Sequence, residues 1–172
     1  MNSPRKHLRI KLFSSFLFGL SLIFLAYLIG LTTHNLKTIT PVVIPSIFLE
    51  VIIGASTSVP LRFSPFSGAL IASLSNIAFA PFLMVAFDTL LNKWNWLNHY
   101  LKKADSISIK YGKLGYLSLV ILVPFIGVYL GVAVGIILRL RPLLIFLSLS
   151  LGVFISGFIT TYIGDGFISL FT

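Results

Sequence analysis

Five polar side chains stand out in this sequence because they lie within or at the ends of long apolar stretches: Glu50, Arg62, Asn76, Asp88 and Arg139. An ionisable group inside an apolar segment is costly, and it usually faces a cavity, a pathway or a partner. Glu50 is the only acid well inside such a stretch. Apolar surroundings favour its protonated form, as expected of a carboxyl group that exchanges protons during transport. The structural alternative is a carboxyl group that hydrogen-bonds nearby backbone.

The other four residues also have two interpretations each. Asp88 is a second candidate proton site or an interfacial acid beside Lys93. Arg62 and Arg139 could offer planar guanidinium groups to phosphate or carboxylate, or they could only extend to the membrane surface. Asn76, a lone amide in an apolar stretch, could contact a substrate or fix a neighbouring segment by a hydrogen bond.

The stretches around these residues are those of a membrane protein. The chain has 172 residues, of which 57% are hydrophobic and only 10% charged, whereas a soluble domain carries about a quarter charged residues. Long blocks contain no charge at all, and each exceeds the roughly 20 residues that cross a bilayer core as a helix. These blocks are Leu12–Leu36, Phe63–Phe87, Leu114–Leu138 and Pro142–Gly164. We therefore predict a single all-α integral membrane domain over residues 1–172.

Several functional classes are excluded by residue type and spacing. The chain has no cysteine, its three histidines show no metal-site spacing, and no nucleotide-binding loop is present; we predict no enzyme, no metal and no cofactor. Its formal charge of +9 could suggest nucleic acid. The basic residues instead cluster at the ends of apolar blocks, as in membrane proteins, so we expect no nucleic-acid partner. The basic N-terminus followed by a long apolar run predicts a retained first span.

The distribution of basic residues predicts the topology. If every apolar block simply crossed, the most basic loop would lie outside, against the positive-inside rule. Two segments that enter the membrane and return on the same side would leave eleven of the thirteen basic residues in the cytoplasm. The alternative is a pair of proline-kinked spanning helices. The first interpretation gives about three full transmembrane helices and two re-entrant helical hairpins, in a multi-pass cell-membrane protein with its N-terminus cytoplasmic and its C-terminus outside.

An internal repeat supports the two hairpins. Leu61-Arg62-Phe63-Ser64-Pro65 recurs 77 residues later as Leu138-Arg139-Leu140-Arg141-Pro142, and the same offset places Gly54 on Gly131. With the predicted topology, the two copies are inverted, as in many secondary transporters. The predicted parts are an N-terminal helix (1–37), repeat 1 (41–91), a cytoplasmic interfacial segment (92–113) and repeat 2 (114–163). The residues that we assign to hairpin breaks and close packing are Gly54, Pro60, Pro124, Gly127, Gly131 and Gly135.

Several stretches also resemble the small multidrug export protein family, which is distantly similar to the DedA/VTT membrane proteins. They are Phe48-Leu49-Glu50 to Pro60, Gly68-Ala69-Leu70 with Asn76, Lys110-Tyr111-Gly112-Lys113-Leu114-Gly115, and Val123-Pro124 to Gly135. The likeness extends from about Ile44 to Tyr162 and implies paired re-entrant hairpins and a transport role. One departure is that Glu50 is followed by Val51-Ile52-Ile53-Gly54, where the family places an arginine and a proline.

These observations favour a small secondary transporter or lipid-phosphate translocator, with Glu50 as the candidate site for coupling to protons. Arg62 and Arg139 are then candidate headgroup contacts, as the distant DedA likeness implies. The alternative is a non-transporting membrane scaffold that packs through the face of Gly127, Gly131 and Gly135. The expected partners are membrane lipids, a small-molecule or lipid-phosphate substrate and, because so few helices span the membrane, further copies of the chain in a homo-oligomer.

Overall fold

The computed structural model describes the backbone of residues 4–32, 35–93 and 95–170, and the side chains of residues 8–32, 35–90 and 115–170 within them. Every regular element in these ranges is an α-helix, so the predicted all-α class is confirmed for the described chain. The helices are α1 (Pro4–Leu31), α2 (Leu36–Phe48), α3 (Val51–Ser58), α4 (Pro65–Ile77), α5 (Ala80–Lys93), α6 (Asn95–Ile137) and α7 (Pro142–Ser169). Side chains of the predicted interfacial segment 92–113 lie outside the described residues.

Four stretches of the described helices are long and apolar enough to cross a membrane. They are Leu8–Leu31, Pro65–Leu90, Gly115–Ile137 and Pro142–Ser169. The second of them joins α4 and α5 across a short interruption at residues 78 and 79. Helices α2 and α3 have 13 and 8 residues, and both are shorter than the roughly 20 residues needed for a crossing. The chain therefore has the helices of a multi-pass membrane protein.

The outer surface of these helices is apolar. Phe13 and Phe24 on α1 are each 65% exposed, and Leu143 on α7 is 69% exposed. Large apolar groups on the outside are unfavourable in water but match the hydrocarbon of a bilayer. The interior is centred on α4, which packs against α1, α2, α3 and α7, while α7 also packs against α3 and α6. The largest fully buried side chains are Ile39, Ile71, Leu119, Ile145 and Leu149.

Helix α4 begins where the sequence signals are strongest. Ser64 is its N-cap, and the Ser64 hydroxyl oxygen accepts a hydrogen bond from the Ser67 N–H at 3.2 Å. Pro65 occupies the first turn, where its missing N–H leaves no bond unmade. Pro142 has the same position at the start of α7. Both copies of the repeated sequence, Leu61 to Pro65 and Leu138 to Pro142, thus lead directly into a helix.

The turn between α3 and α4 closes with a left-handed residue. Arg62 has φ of 61°, and its N–H donates to the Val59 carbonyl at 3.0 Å. The Phe63 N–H donates to the Ser58 carbonyl at 3.2 Å. These two bonds form the Schellman arrangement, which satisfies carbonyl groups at the end of a helix and usually has glycine at the left-handed position.

The same turn recurs 77 residues later, between α6 and α7. Arg139 has φ of 50°, and its N–H donates to the Ile136 carbonyl at 2.9 Å. The Leu140 N–H donates to the Gly135 carbonyl at 3.1 Å. Arg62 and Arg139 are the only non-glycine residues with positive φ in the described part of the chain. The sequence repeat is therefore also a repeat of backbone conformation at these turns.

Two segments fold back on themselves at equivalent positions of this repeat. A Cβ atom added at Gly54 on α3 would lie 2.8 Å from the Ser46 Cβ atom on α2. A Cβ atom added at Gly131 would lie 3.2 Å from Val123 Cγ2, and both of these residues belong to α6. Eight residues of straight helix would separate each pair by about 12 Å. Helix α6 therefore bends sharply between Val123 and Gly131.

The bend in α6 has two causes in its sequence. Pro124 has no N–H, so it cannot complete the helical hydrogen bond to Val120. Gly127 has φ of 80°, a left-handed conformation that glycine adopts readily because it has no Cβ atom. The carbonyl oxygen of Val120 instead lies against α7, since a Cβ atom added at Gly152 would be 2.6 Å from it. The backbones of α6 and α7 thus approach closely at the level of Gly152.

Gly152→Ala should destabilise the protein because the added methyl group meets backbone, which cannot rotate away. We expect a loss of about 1–3 kcal/mol, as for other overpacked interiors, measured as a lower midpoint of thermal unfolding in detergent. Gly166→Ala is the matched control, because a Cβ atom added at Gly166 meets nothing within 4 Å. Equal midpoints for the two variants would contradict the close packing of α6 on α7.

Candidate functional site

The end of α2 leaves backbone carbonyl groups without their helical partners. The N–H groups of Leu49 and Glu50 both donate to the Pro45 carbonyl, at 2.8 and 3.2 Å. The carbonyl oxygens of Ser46 and Ile47 therefore receive no bond from the helix that they terminate. Such groups must be satisfied by other means when the helix end is surrounded by apolar material.

Two side chains from other helices satisfy these carbonyl groups. Asn76 of α4 donates its Nδ2 proton to the Ser46 carbonyl at 2.6 Å, and Asn76 is only 1% exposed. Tyr129 of α6 donates its phenolic proton to the Ile47 carbonyl. The predicted alternative in which Asn76 fixes a neighbouring segment matches its observed hydrogen bond. The end of α2 is thus held by both halves of the chain.

A further bond joins α2 to α3. Pro45 lacks an N–H, so the Pro41 carbonyl has no donor within α2. The Thr57 hydroxyl of α3 donates to the Gly54 carbonyl of its own helix at 2.7 Å and shares this bond with the Pro41 carbonyl at 3.2 Å. The prolines in α2 therefore create an acceptor that binds the returning helix.

Glu50 lies at the break between α2 and α3, against the bend of α6. It is the N-cap of α3, in extended conformation, but its side chain makes no capping hydrogen bond. Its carboxylate contacts the Cα region of Gly127 so closely that any Cβ atom there would overlap Oε1. The carboxylate also interacts electrostatically with the Tyr129 phenol. Glu50 is half-buried. The break between α2 and α3 and the bend of α6 at Gly127 thus meet at its carboxylate.

Polar groups continue from this point along the contact between α4 and α7. The Ser73 hydroxyl donates to the Val153 carbonyl at 3.4 Å. Among the described residues, two buried side-chain oxygens have no hydrogen-bond partner, Asn76 Oδ1 and Ser150 Oγ. The register of Ser73 opposite Val153 in these antiparallel helices places Ser150 at the level of Asn76. The α4–α7 contact therefore contains two buried oxygen atoms that can still form hydrogen bonds, close to the end of α2.

The other candidate residues lie away from Glu50. Arg62, which lies two residues after Pro60, and Arg139 are exposed at the turns described above. The eight residues of α3 and residues 128–137 of α6 separate them from the backbone breaks by about 12 and 15 Å of helix. Asp88 is exposed on α5. The structure therefore brings Glu50 and Gly127 together, and Asn76 of α4 bonds the nearby end of α2. The two arginines do not lie at this site.

Tyr129 is the site residue that sequence reasoning did not select. Its position in the sequence, two residues after Gly127, was its only available signal, since tyrosine is common in apolar helices. Among the described residues, no group of three or more histidine, cysteine, aspartate or glutamate side chains could hold a metal ion. The chemistry of this site is therefore that of one carboxyl group, one phenol, one amide and helix-terminal backbone.

A comparison with known families covers this whole region. A family model described as "Putative small multi-drug export protein" matches residues 49–159, which is more than half of the chain. The chain belongs to this family. No significant match was found among curated proteins or solved structures. The resemblance predicted from the sequence is confirmed for the small multi-drug export family, while the more distant likeness to the DedA proteins stays a prediction.

The matched region of the small multi-drug export family contains the site except for the Ser46 and Ile47 carbonyl groups. It begins at Leu49, immediately before Glu50, and includes Asn76, Gly127 and Tyr129. Helix α1 and almost all of α2 lie outside it. The family resemblance therefore coincides with the part of the chain in which the two backbone breaks meet.

Asn76→Leu should destabilise the protein because it leaves the buried Ser46 carbonyl without a donor. An unsatisfied buried polar group costs about 1–3 kcal/mol, which should appear as unfolding at lower denaturing-detergent concentration. Ser75→Ala is the control, since the Ser75 hydroxyl is also buried but bonds only within its own helix, to Ile71 at 2.7 Å. If Ser75→Ala were the more destabilising change, the proposed importance of the α2 end would be wrong.

Proposed function

We propose that this protein is a small secondary transporter whose working site forms where the α2–α3 break meets the bend of α6. The observation that carries the proposal is the contact of the Glu50 carboxylate with Gly127. Transporters of this general type bind their cargo or coupling ion between broken helices near the middle of the membrane. The family description, multi-drug export, points to small molecules as the cargo.

The proposal includes two re-entrant hairpins related by an inverted repeat. Positions that are 77 residues apart have matching roles: Glu50 and Gly127 at the breaks, and Arg62 and Arg139 at the closing turns. About 12–15 Å of helix, from α3 and from residues 128–137 of α6, separates each break from its closing turn. In a hydrocarbon core of about 30 Å, breaks at this distance from either surface lie in the central part of the membrane.

Glu50 is the proposed proton carrier. The N–H groups in the first turn of α3 receive no side-chain cap, and their partial positive charge favours a negative group beside them. Apolar surroundings oppose this by favouring the protonated acid. A carboxyl group under two opposing influences can change its protonation state when water reaches it from one side or the other. Coupling of cargo movement to protons follows from this balance.

The proposal does not extend to a lipid phosphate as the cargo at Glu50. A phosphate group would need cations at the site, and Arg62 and Arg139 lie at the distant turns. The scaffold alternative is also less supported, because the glycine face that it needs is used within the chain. Added Cβ atoms at Gly131 and Gly135 would lie 2.6 Å from Leu149 and 2.9 Å from Ile145 of α7.

We also propose a homo-oligomer that covers the breaks. Phe48 is 74% exposed, Leu49 is 57% exposed, and Phe125, 77 residues after Phe48, is 83% exposed. They flank the half-buried Glu50 and the irregular backbone of Gly127. At membrane depth, such backbone is stable only when protein covers it or when it lines a water-filled cavity. A second copy of the chain would supply that cover.

Glu50→Gln tests the proton step. Glutamine keeps the size and hydrogen-bonding capacity of the side chain but cannot ionise, so the variant should insert and fold like the parent. In liposomes with an imposed pH gradient, we expect gradient-driven uptake of a fluorescent cationic drug to fall at least tenfold. Glu50→Asp should keep part of the flux.

Asp88→Asn is the matched control, because it removes an exposed acid from α5 and should leave the flux unchanged. A folded Glu50→Gln variant with the flux and pH dependence of the parent would refute proton coupling through this residue. Loss of folding in Glu50→Gln would favour the structural alternative for the carboxyl group instead.

Single cysteines test the first hairpin, and the chain contains no cysteine of its own. If α2 and α3 enter and leave on one side, a membrane-impermeant thiol reagent added outside should label Lys37→Cys and Arg62→Cys. Lys11→Cys and Arg141→Cys should react only after the membrane is opened. Labelling of Lys37→Cys and Arg62→Cys from opposite sides would rule out the re-entrant hairpin, and with it the inverted repeat.

A further inference from the structure

A separate feature lies on the face of the molecule formed by α1, α5 and α7. These helices border an open groove of about 360 Å³, a volume within the range of about 300–1,000 Å³ that is usual for ligand sites. The groove is lined by Ser14, Ser15, Phe18, Pro81, Met84, Leu143 and Phe146. Its wall is thus largely apolar, with two hydroxyl groups on α1.

The two serines mark the end of the groove that lies near the membrane surface. Helix α1 runs antiparallel to α4 and α5, because Gly19 lies against Ala78 and Phe16 against Phe82. Helix α7 is also antiparallel to α4, as described above for Ser73 and Val153, so α1 and α7 run in the same direction along the groove, where Phe18 packs edge-on against Phe146 with ring centres 6.0 Å apart. Their N-terminal ends therefore lie at the same end of it. Lys11 lies one turn before Ser14, whose hydroxyl donates to the Lys11 carbonyl at 3.0 Å. Positive charge is therefore placed directly beyond the serines.

The second cation at this end comes from α7. Arg141 is the N-cap residue of α7, two positions before the lining residue Leu143, and its side chain makes no capping hydrogen bond. Lys11 and Arg141 are both exposed. Helix α5 brings one acid to this end, because Asp88 lies one turn beyond the lining residue Met84 and is also exposed. With Arg9 on α1, the described charges here remain positive in sum.

We propose that this groove holds one acyl chain of a net-anionic phospholipid, with the lipid phosphate between Lys11 and Arg141. Apolar walls that open to the bilayer suit an acyl chain. Basic residues between transmembrane helices at the membrane surface attract anionic headgroups. A soluble anion has no acyl chain to bind the apolar walls, and a lipid without net charge is not attracted by the net positive charge of Lys11 and Arg141. The combination of both parts therefore selects the anionic lipid.

This lipid site is independent of the proposed transport site. None of its lining residues belongs to α2, α3 or α6, and Glu50 does not border the groove. The bound lipid is a resident component that fills the space between α1 and α7, not the transported molecule. It stabilises the attachment of α1, which lies outside the family-matched region and packs mainly on α4 and α5.

Fluorescence quenching in vesicles tests the site. The chain has two tryptophans, Trp94 and Trp96, which are first replaced by phenylalanine. Phe146→Trp then places a single reporter in the groove. In phosphatidylcholine vesicles that contain a small fraction of brominated lipid, brominated phosphatidylglycerol should quench this reporter at a several-fold lower mole fraction than brominated phosphatidylcholine. Leu151→Trp, at an exposed position of α7 outside the groove, should show no preference.

Charge substitutions decide the role of the two cations. Lys11→Gln and Arg141→Gln should each reduce the preference for phosphatidylglycerol about fivefold, since a basic residue near an anionic surface contributes on the order of 1 kcal/mol. Lys37→Gln with Arg62→Gln removes the same charge elsewhere and should leave the preference intact, as should Glu50→Gln. Asp88→Asn should strengthen it. Each variant is compared by circular dichroism to confirm equal helix content.

The proposal is overturned if brominated phosphatidylglycerol and phosphatidylcholine quench Phe146→Trp equally. It is also overturned if the preference survives the combined loss of Lys11 and Arg141. If Phe146→Trp does not fold, Leu143→Trp reports from the same groove and is read in the same way.

Discussion

Hydrogen bonding of the backbone in apolar surroundings is the constraint on which this structure depends. Helix α2 ends within the helical bundle, where neither lipid nor its own helix can satisfy the carbonyl groups of Ser46 and Ile47. Asn76 from α4 and Tyr129 from α6 donate to these carbonyls, and each donor lies far away in the sequence. The break in α2 is therefore tolerated only because distant helices are assembled around it. Glu50 occupies the break that this assembly makes possible.

The two closing turns share a backbone conformation, but the two breaks differ in side-chain chemistry. The closing turns and the positions of the two breaks repeat with an offset of 77 residues, yet one break carries Glu50 and the other Gly127. The carboxylate needs the space that glycine leaves, because any side chain at position 127 would collide with it. A symmetrical pair of acids could not meet in this way without like-charge repulsion. The asymmetry gives the junction a single ionisable group.

The sequence predicted the long helices and the two turns, because length, charge and proline position act locally. It also selected Glu50, whose role stays a prediction. Asn76 was also predicted, with two alternatives for its role. The sequence could not predict that the Tyr129 hydroxyl reaches Ile47, 82 residues away, since no periodic pattern records which apolar helices become neighbours. The sequence also grouped Glu50, Arg62 and Arg139 as candidate site residues, because all three are ionisable groups within or beside apolar stretches. The intervening helices keep the arginines at the turns, because α3 and residues 128–137 of α6 extend about 12 and 15 Å.

The left-handed arginines at the two turns have a consequence for the biogenesis of the protein. An L-residue in this conformation costs roughly 1–2 kcal/mol, and glycine would close either turn with less strain. Glycine, however, carries no charge. A charged side chain is costly in the hydrocarbon core, so we expect an arginine to keep each turn at a membrane surface while the chain inserts. The strained backbone of the finished protein would then serve a requirement of insertion, because the left-handed residue is the charged one.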